Sequence, residues 1–380
     1  MKICFITSKN ITSHATLKRA IGMANPLCTL GHEVTICLQE AEDNKEAMKR
    51  CPLAKSYYYQ PGSALYERRQ KQAFLEQNKF DIVHICGLGV GNSINSKPLK
   101  SSFVIIDHDE LESSTHNRPL RRRISQNYLE WWSLFAYDGS VVASKYLESL
   151  FVRRLNLFRK FCPILYLPYG YDSDSLTFDK TNVYSLQAKY PRKKIIVFLG
   201  SLLRQYGCFE MLEAFSILAK NRSDFVALIC GRGSEEIEAI SFVKQNNLEQ
   251  FIVFKGYIPE TEVPTVLYGA NILMCPLNDT VTDWARCPSK LLMYMVTKKP
   301  IVTCAIGEAR EYLGEDGFYY KPSDPESMAS AIQTALDTND WFPKYDSSLH
   351  TWQQRVDTWL NWIRIWAPSL VDIHCGKTLN

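Results

Sequence analysis

The 380 residues are too many for one ordinary hydrophobic core, so two domains are expected. Hydrophobic residues make up 46% of the chain and the net charge is +4, the balance of a globular protein with no case for nucleic acid as its partner. No apolar run reaches the ~20 residues of a membrane span. The opening Met1-Lys-Ile-Cys-Phe-Ile-Thr-Ser8 is too short for a signal peptide and reads as a buried strand, which predicts a cytoplasmic protein. The 12 cysteines form no Cys-x-x-Cys pair and no matching His spacing, so they are expected to be packing thiols rather than a zinc site or a disulfide framework.

Strands and helices alternate in two series. Residues 2–7 form an apolar run, 17–30 have helical spacing, and 34–38 form a second apolar run, a β-α-β unit. Short buried strands follow at 81–85, 103–106 and 139–144, the last before a helix at 145–155. Near 165–172 the pattern breaks and a polar stretch runs to 192, where a linker is expected. The second series has strands at 194–200, 225–231, 251–256, 272–276 and 300–304, with helices at 209–220 and 329–336 among the connections. The fold class is therefore α/β, with two doubly wound domains. A final amphipathic segment, Trp352 to Ile363, comes after the second sheet is complete and is expected to pack elsewhere.

Five motifs recur in order along the chain: Asp81-Ile-Val-His84, Leu167-Pro-Tyr-Gly-Tyr-Asp172, Gly231-Arg-Gly-Ser-Glu235, Phe254-Lys-Gly-Tyr-Ile258, and Pro288-Ser-Lys-Leu-Leu-Met-Tyr-Met295 leading to Lys299-Pro-Ile301. Together they resemble the GT-B retaining glycosyltransferases over nearly the full length. The resemblance implies two Rossmann-like domains facing across a cleft: an acceptor-side domain at 1–170, a donor-binding domain at 171–350, and a crossover helix at 351–380 returning to the first. It implies transfer of a sugar from a nucleotide donor, a UDP- or GDP-sugar, to a glycan or lipid-linked acceptor with retained configuration. The nucleotide sugar is then a substrate and no separate cofactor is expected. No Asp-x-Asp follows a strand in the manner of a diphosphate–metal site, so no metal is expected either.

A departing nucleoside diphosphate gains negative charge, which cationic side chains and helix N-termini neutralise. The family motif after the first strand of the donor domain supplies an Arg and a Lys, but here Gly200-Ser-Leu-Leu-Arg-Gln-Tyr-Gly207 lacks both. Arg204 either substitutes for them from a shifted loop or is a solvated loop arginine. Lys290 matches the motif at a helix N-terminus. Arg286, four residues earlier on the expected helix start, either faces the same way toward the donor or is a helix-surface residue. Met293 stands where the family has a Glu that accepts the ribose hydroxyls, a loss of ~1.5–3 kcal/mol. Asp279 and Asp283 either approach the sugar or cap the following helix. Donor contacts are thus expected from Gly200, Arg204, Gly231, Arg286, Ser289, Lys290 and Glu311, the last in Gly307-Glu-Ala-Arg-Glu311.

In the first domain the best catalytic candidates lie in Asp107-His-Asp-Glu-Leu111, a polar cluster after a buried strand. The reacting residue is either His108 or Asp109, hydrogen-bonded to the sugar or taking the acceptor's proton. His14, in a loop without the family's Gly-Gly, is a surface residue or an acceptor contact. Arg118 to Arg123, ahead of Tyr128, Trp131 and Trp132, resembles the basic-aromatic helices that touch anionic membranes. The other reading is a basic turn before a helix whose tryptophans are core. Peripheral contact with the inner face of a membrane is kept as an alternative location. Two rival functions remain: a catalytically degenerate GT-B protein that binds an active glycosyltransferase, and a nucleotide-sugar epimerase, against which the poor cation supply counts.

Overall fold

A computed structural model describes residues 1–11, 16–91, 102–114 and 119–370. By internal contacts these divide into two units. The first comprises Met1–Gly170, Ala285–Cys287 and the residues from His350 onward, and the second Tyr171–Trp284 with Pro288–Leu349.

The first unit holds a seven-stranded parallel sheet of β1 (Lys2–Ile6), β2 (Glu33–Gln39), β3 (Lys55–Tyr59), β4 (Ile82–Ile85), β5 (Phe103–His108), β6 (Gly139–Val142) and β7 (Ile164–Tyr166), in the order β3-β2-β1-β4-β5-β6-β7. Strands β4 and β6 are buried at every position, as strands covered by helices on both faces must be. The edge strands β3 and β7 are only partly covered. Strand order reverses between β1 and β4, the place where open parallel sheets part their loops to admit a ligand.

The second unit repeats the plan with six parallel strands: β8 (Lys194–Leu199), β9 (Phe225–Cys230), β10 (Ile252–Gly256), β11 (Ile272–Cys275), β12 (Ile301–Cys304) and β13 (Phe318–Tyr320), ordered β10-β9-β8-β11-β12-β13. Its reversal falls between β8 and β11. The polar stretch read as a linker carries a helix, Lys180–Ala188, which packs in the second unit against the helix Val263–Gly269. It buries only Val183 and Leu186, too faint an apolar stripe to be legible.

The final helix, Trp352–Trp366, packs on the helix Thr16–Thr29 of the first unit. Glycines make the seat. A β-carbon on Gly22 would overlap the Trp352 ring, one on Gly139 would overlap Trp362, and Gly170 also lies against Trp352. Trp359 between them is fully buried. No described cysteine is joined in a disulfide, and all but Cys28 are buried, in keeping with packing roles.

Candidate functional site

In the first unit the carboxyl ends of β5 and β7 converge on one buried arginine. Arg19, in the helix after β1, has no solvent exposure. Its Nε lies 2.5 Å from Asp107 Oδ2, its Nη2 donates to Asp109 Oδ1 at 2.9 Å, and its Nη1 donates to the Leu167 carbonyl at 3.0 Å. The Tyr169 hydroxyl donates to Asp109 Oδ2 at 2.8 Å, and the guanidinium sits 4.6 Å from the Tyr169 ring centre. Burial alone would depress the arginine's pKa, but Asp107 and Asp109 outweigh it and hold the charge more firmly than usual. Burial and the Asp107 charge push Asp109 up, partly offset by Arg19 and Tyr169. Asp109 is thus an oriented carboxylate with raised basicity, its side chain 20% exposed.

His108 is placed differently. It is the last residue of β5 and 1% exposed, edge-on to Phe151 at 4.7 Å between centroids, with Nε2 3.2 Å from Ser133 Oγ. Burial brings its pKa down to about 4, partly countered by Asp107. A neutral, enclosed imidazole is a core residue, and of the two catalytic alternatives only Asp109 reaches solvent. His84, on β4, is also buried, its Nε2 3.5 Å from Asp107 Oδ2. Sequence reading passed over Arg19 and Tyr169. The available signal for Arg19 was its place in the same helical row as Met23 and Leu27, a charge on the buried face. His14 lies outside the described residues.

In the second unit, Gly200 ends β8 with φ 156°, and Lys290, in the first turn of the helix Ser289–Thr297, reaches over it. Its Nζ lies 4.4 Å from the centre of the Phe198 ring and 3.1 Å from where a Gly200 β-carbon would be. Gly231 ends β9 at φ 145°, and a β-carbon there would overlap the Gly200 carbonyl. One more glycine, Gly233, meets Leu202 in the same way. Gly231 therefore lets the β8 and β9 loops touch, which is a packing role. Two helices begin at this edge without side-chain caps: Cys208–Asn221, after left-handed Gly207, and Ser289–Thr297, after Pro288. The first-turn amides of the second are oriented donors in the same turn as Lys290.

The remaining candidates are less convergent. Arg204 donates to Glu238 at 2.6 Å and stacks 4.1 Å from the Phe209 ring centre, so an incoming phosphate would compete with a carboxylate for it. Ser289 and Glu311 are exposed at the surface. Arg286 does not share a helix with Lys290, because Pro288 delays the helix start to Ser289 and Ala285–Cys287 groups with the first unit. Asp283 accepts from the Asn278 amide at 2.8 Å and from Thr280 Oγ1 at 3.3 Å, and Asp279 accepts from Trp284 Nε1 at 2.7 Å. Asp283 is therefore the loop-capping carboxylate of the plainer reading, while Asp279 holds the Trp284 side chain. Met293 is partly buried one residue before Tyr294, whose hydroxyl accepts from the Leu199 amide at 2.9 Å.

Residues 193–338, which span the second sheet, match the family description "Glycosyl transferases group 1". The chain thus carries a group 1 glycosyl transferase segment at 193–338, and its fold is GT-B. It is 22% identical over 215 residues to the 2-deoxystreptamine glucosyltransferase of Streptomyces kanamyceticus, covering 55% of this chain and 54% of that protein, so the match spans about half the relative's length. Among solved structures it resembles Anabaena HepE in complex with UDP and glucose, with TM-score 0.71 and 14% identity over 100% of this chain and 99% of that one. It also resembles sucrose-phosphate synthase of Thermosynechococcus elongatus, with TM-score 0.70 and 15% identity over 99% and 98%. At these identities the structures speak for the GT-B fold.

Proposed function

We propose that this GT-B protein transfers a sugar from a nucleotide-sugar donor to a hydroxyl of a glycan or lipid-linked acceptor. The observation that carries the reading is Lys290 poised over Gly200 at the strand-order reversal of the second sheet, in the first turn of a helix without a side-chain cap. That arrangement suits a diphosphate: a point charge and converging amides stabilise the leaving group as its charge grows. A UDP-sugar is the first donor to test, given the ligands of the HepE complex, and a GDP-sugar the second. In the first unit Asp109, oriented by Arg19 and Tyr169, is the group suited to take the acceptor's proton or to hold a sugar hydroxyl. Retention of configuration and independence of a metal ion are part of the proposal, the diphosphate charge being met by Lys290 and helix dipoles. Peripheral contact with a membrane, at the inner face, belongs to the same reading for a lipid-linked acceptor. The expected basic patch begins at Arg118, which lies outside the described residues.

Two observations favour a second reading. Arg204, the nearest substitute for the family's missing cations, is engaged by Glu238, and Met293 offers the ribose no acceptor. A protein that kept the fold and lost the donor would serve as a binding partner of an active glycosyltransferase. Calorimetry with UDP, GDP and their glucose conjugates separates the two readings. Saturable binding that Lys290→Ala weakens at least tenfold, with slow donor hydrolysis, supports transfer; no heat from any of them sinks it.

A further inference from the structure

His84 is fully enclosed on β4, and neither of its ring nitrogens has a hydrogen-bond partner among the described residues. Its ring lies 5.2 Å from that of Phe5 and 6.1 Å from that of Trp359 in the final helix, between centroids. The charge within reach is Asp107: the oxygen that takes Arg19 Nε at 2.5 Å lies 3.5 Å from His84 Nε2. A buried imidazole without a partner is costly, and it can meet a carboxylate only through a nitrogen that carries a proton.

The charges of this cluster do not balance without such a proton. Arg19 supplies one positive charge to two carboxylates, Asp107 and Asp109. The other titratable groups around them are Cys86, Tyr169 and His108. Burial pushes Cys86 and Tyr169 well up and brings His108 down to about 4, so all three are neutral at neutral pH. With His84 neutral as well, one carboxylate charge would lack a counter-charge, although the Asp107 side chain has no solvent exposure at all. A proton on the cluster removes the deficit, and it has three seats. Asp107 is the poorest, because the guanidinium beside it favours the charged form. On Asp109 the proton would block that carboxylate from accepting another. On His84 it would face Asp107 and leave Arg19 to Asp109.

We propose that His84 is a positioning residue for Asp109: as an imidazolium it neutralises Asp107, and Arg19 is thereby left to hold Asp109 ionised and aimed. The inference rests on the reading of Asp109 as the group that takes the acceptor's proton. His84 acts through Asp107 and Arg19, not on the substrate. It is no proton relay, because the guanidinium in the chain of contacts does not give up its proton; the proton that Asp109 takes leaves by that residue's exposed edge. The role gives a function to the histidine of the strand Asp81-Ile-Val-His84, which lies too deep to meet a substrate.

The test is NMR of the full chain with isotope labels in the histidine rings and the aspartate carboxyls, His84→Gln and Asp109→Asn assigning the signals. At neutral pH both His84 ring nitrogens are expected to be protonated and the Asp109 carboxyl ionised. In His84→Gln the Asp109 carboxyl is expected to titrate about one pH unit higher, because the positive charge that relieved Asp107 is gone. In Asp107→Asn the imidazole loses its counter-charge and is expected to be neutral at the same pH. A donor that supports turnover adds a further readout: the acid limb of the rate profile should move up with Asp109 in His84→Gln, with KM for the donor unchanged. A neutral His84 imidazole in the wild type, an imidazole still protonated in Asp107→Asn, or an Asp109 titration unmoved in His84→Gln overturns the proposal. Should His84→Gln not fold, the wild-type and Asp107→Asn spectra decide it. The titrations need neither donor nor acceptor, so their failure is separable from failure of donor binding.

Discussion

Lys290 and Gly200 form a single unit: the ammonium occupies the space beside Gly200, 3.1 Å from where a β-carbon would lie, over the Phe198 ring. Gly200→Ala would crowd the ammonium and strain a backbone at φ 156°. The expected result is about a tenfold loss of nucleotide affinity, with stability lower by ~1 kcal/mol. Calorimetry beside urea unfolding reads both, and unchanged affinity would detach the glycine from the donor site.

Met293→Glu should work in the opposite direction. A carboxylate at this half-buried position restores an acceptor for ribose hydroxyls, worth ~1.5–3 kcal/mol, and is expected to tighten nucleotide-sugar binding more than tenfold. A variant that binds no better would place the ribose away from this helix.

Arg19, Asp107 and Asp109 should separate structural from chemical roles. Arg19→Met strands two carboxylates in the interior and is expected to cost roughly 3–5 kcal/mol in denaturant unfolding. Asp109→Asn keeps an oxygen for Tyr169 and should hold most of the stability while turnover falls about a hundredfold or more. His108→Ala should behave as a core cavity, lowering the melting temperature, and a variant as stable as wild type would contradict its placement.

The buried His108 also predicts a pH dependence. Its folded pKa of about 4 lies below the ordinary 6.5, so between these values the unfolded chain binds the extra proton. Stability therefore rises with pH across that window: the contribution, on the order of 3 kcal/mol, is complete above the upper value and lost as pH falls toward the lower. Urea unfolding from pH 7.5 to 5 should show a slope that flattens in His108→Gln. An equal slope in both proteins would assign the effect to other groups.

The seat of the final helix gives a packing test. Gly22→Val drives a side chain into Trp352 and is expected to lower the melting temperature sharply; adding Trp352→Ala should restore part of the loss by opening space. Strict additivity of the two changes would show that they do not meet.

Central strands were legible because both their faces are buried and their sequences are continuous apolar runs, as in Phe103-Val-Ile-Ile106 and Phe225-Val-Ala-Leu-Ile229. The strands that escaped, β3, β7 and β13, all lie at sheet edges, where partial exposure admits Lys55, Ser56 and a run of tyrosines. Lys290 was legible because a helix start and a motif coincide in sequence. Arg19 was not, because its partners come from the ends of two other strands, β5 and β7, and no local pattern announces them. Arg286 misled through Pro288, which allows the helix to begin only at the next residue.

The chain leaves the first unit after Gly170 and re-enters it near His350 to set Trp352 between two glycines. During synthesis, the earlier lobe therefore waits with an open groove along Gly22 and Gly139 until the tryptophan-bearing segment leaves the ribosome. The second sheet can close on its own in the meantime. A premature stop that spares every strand would still yield a lobe with a greasy furrow, a natural target for chaperones.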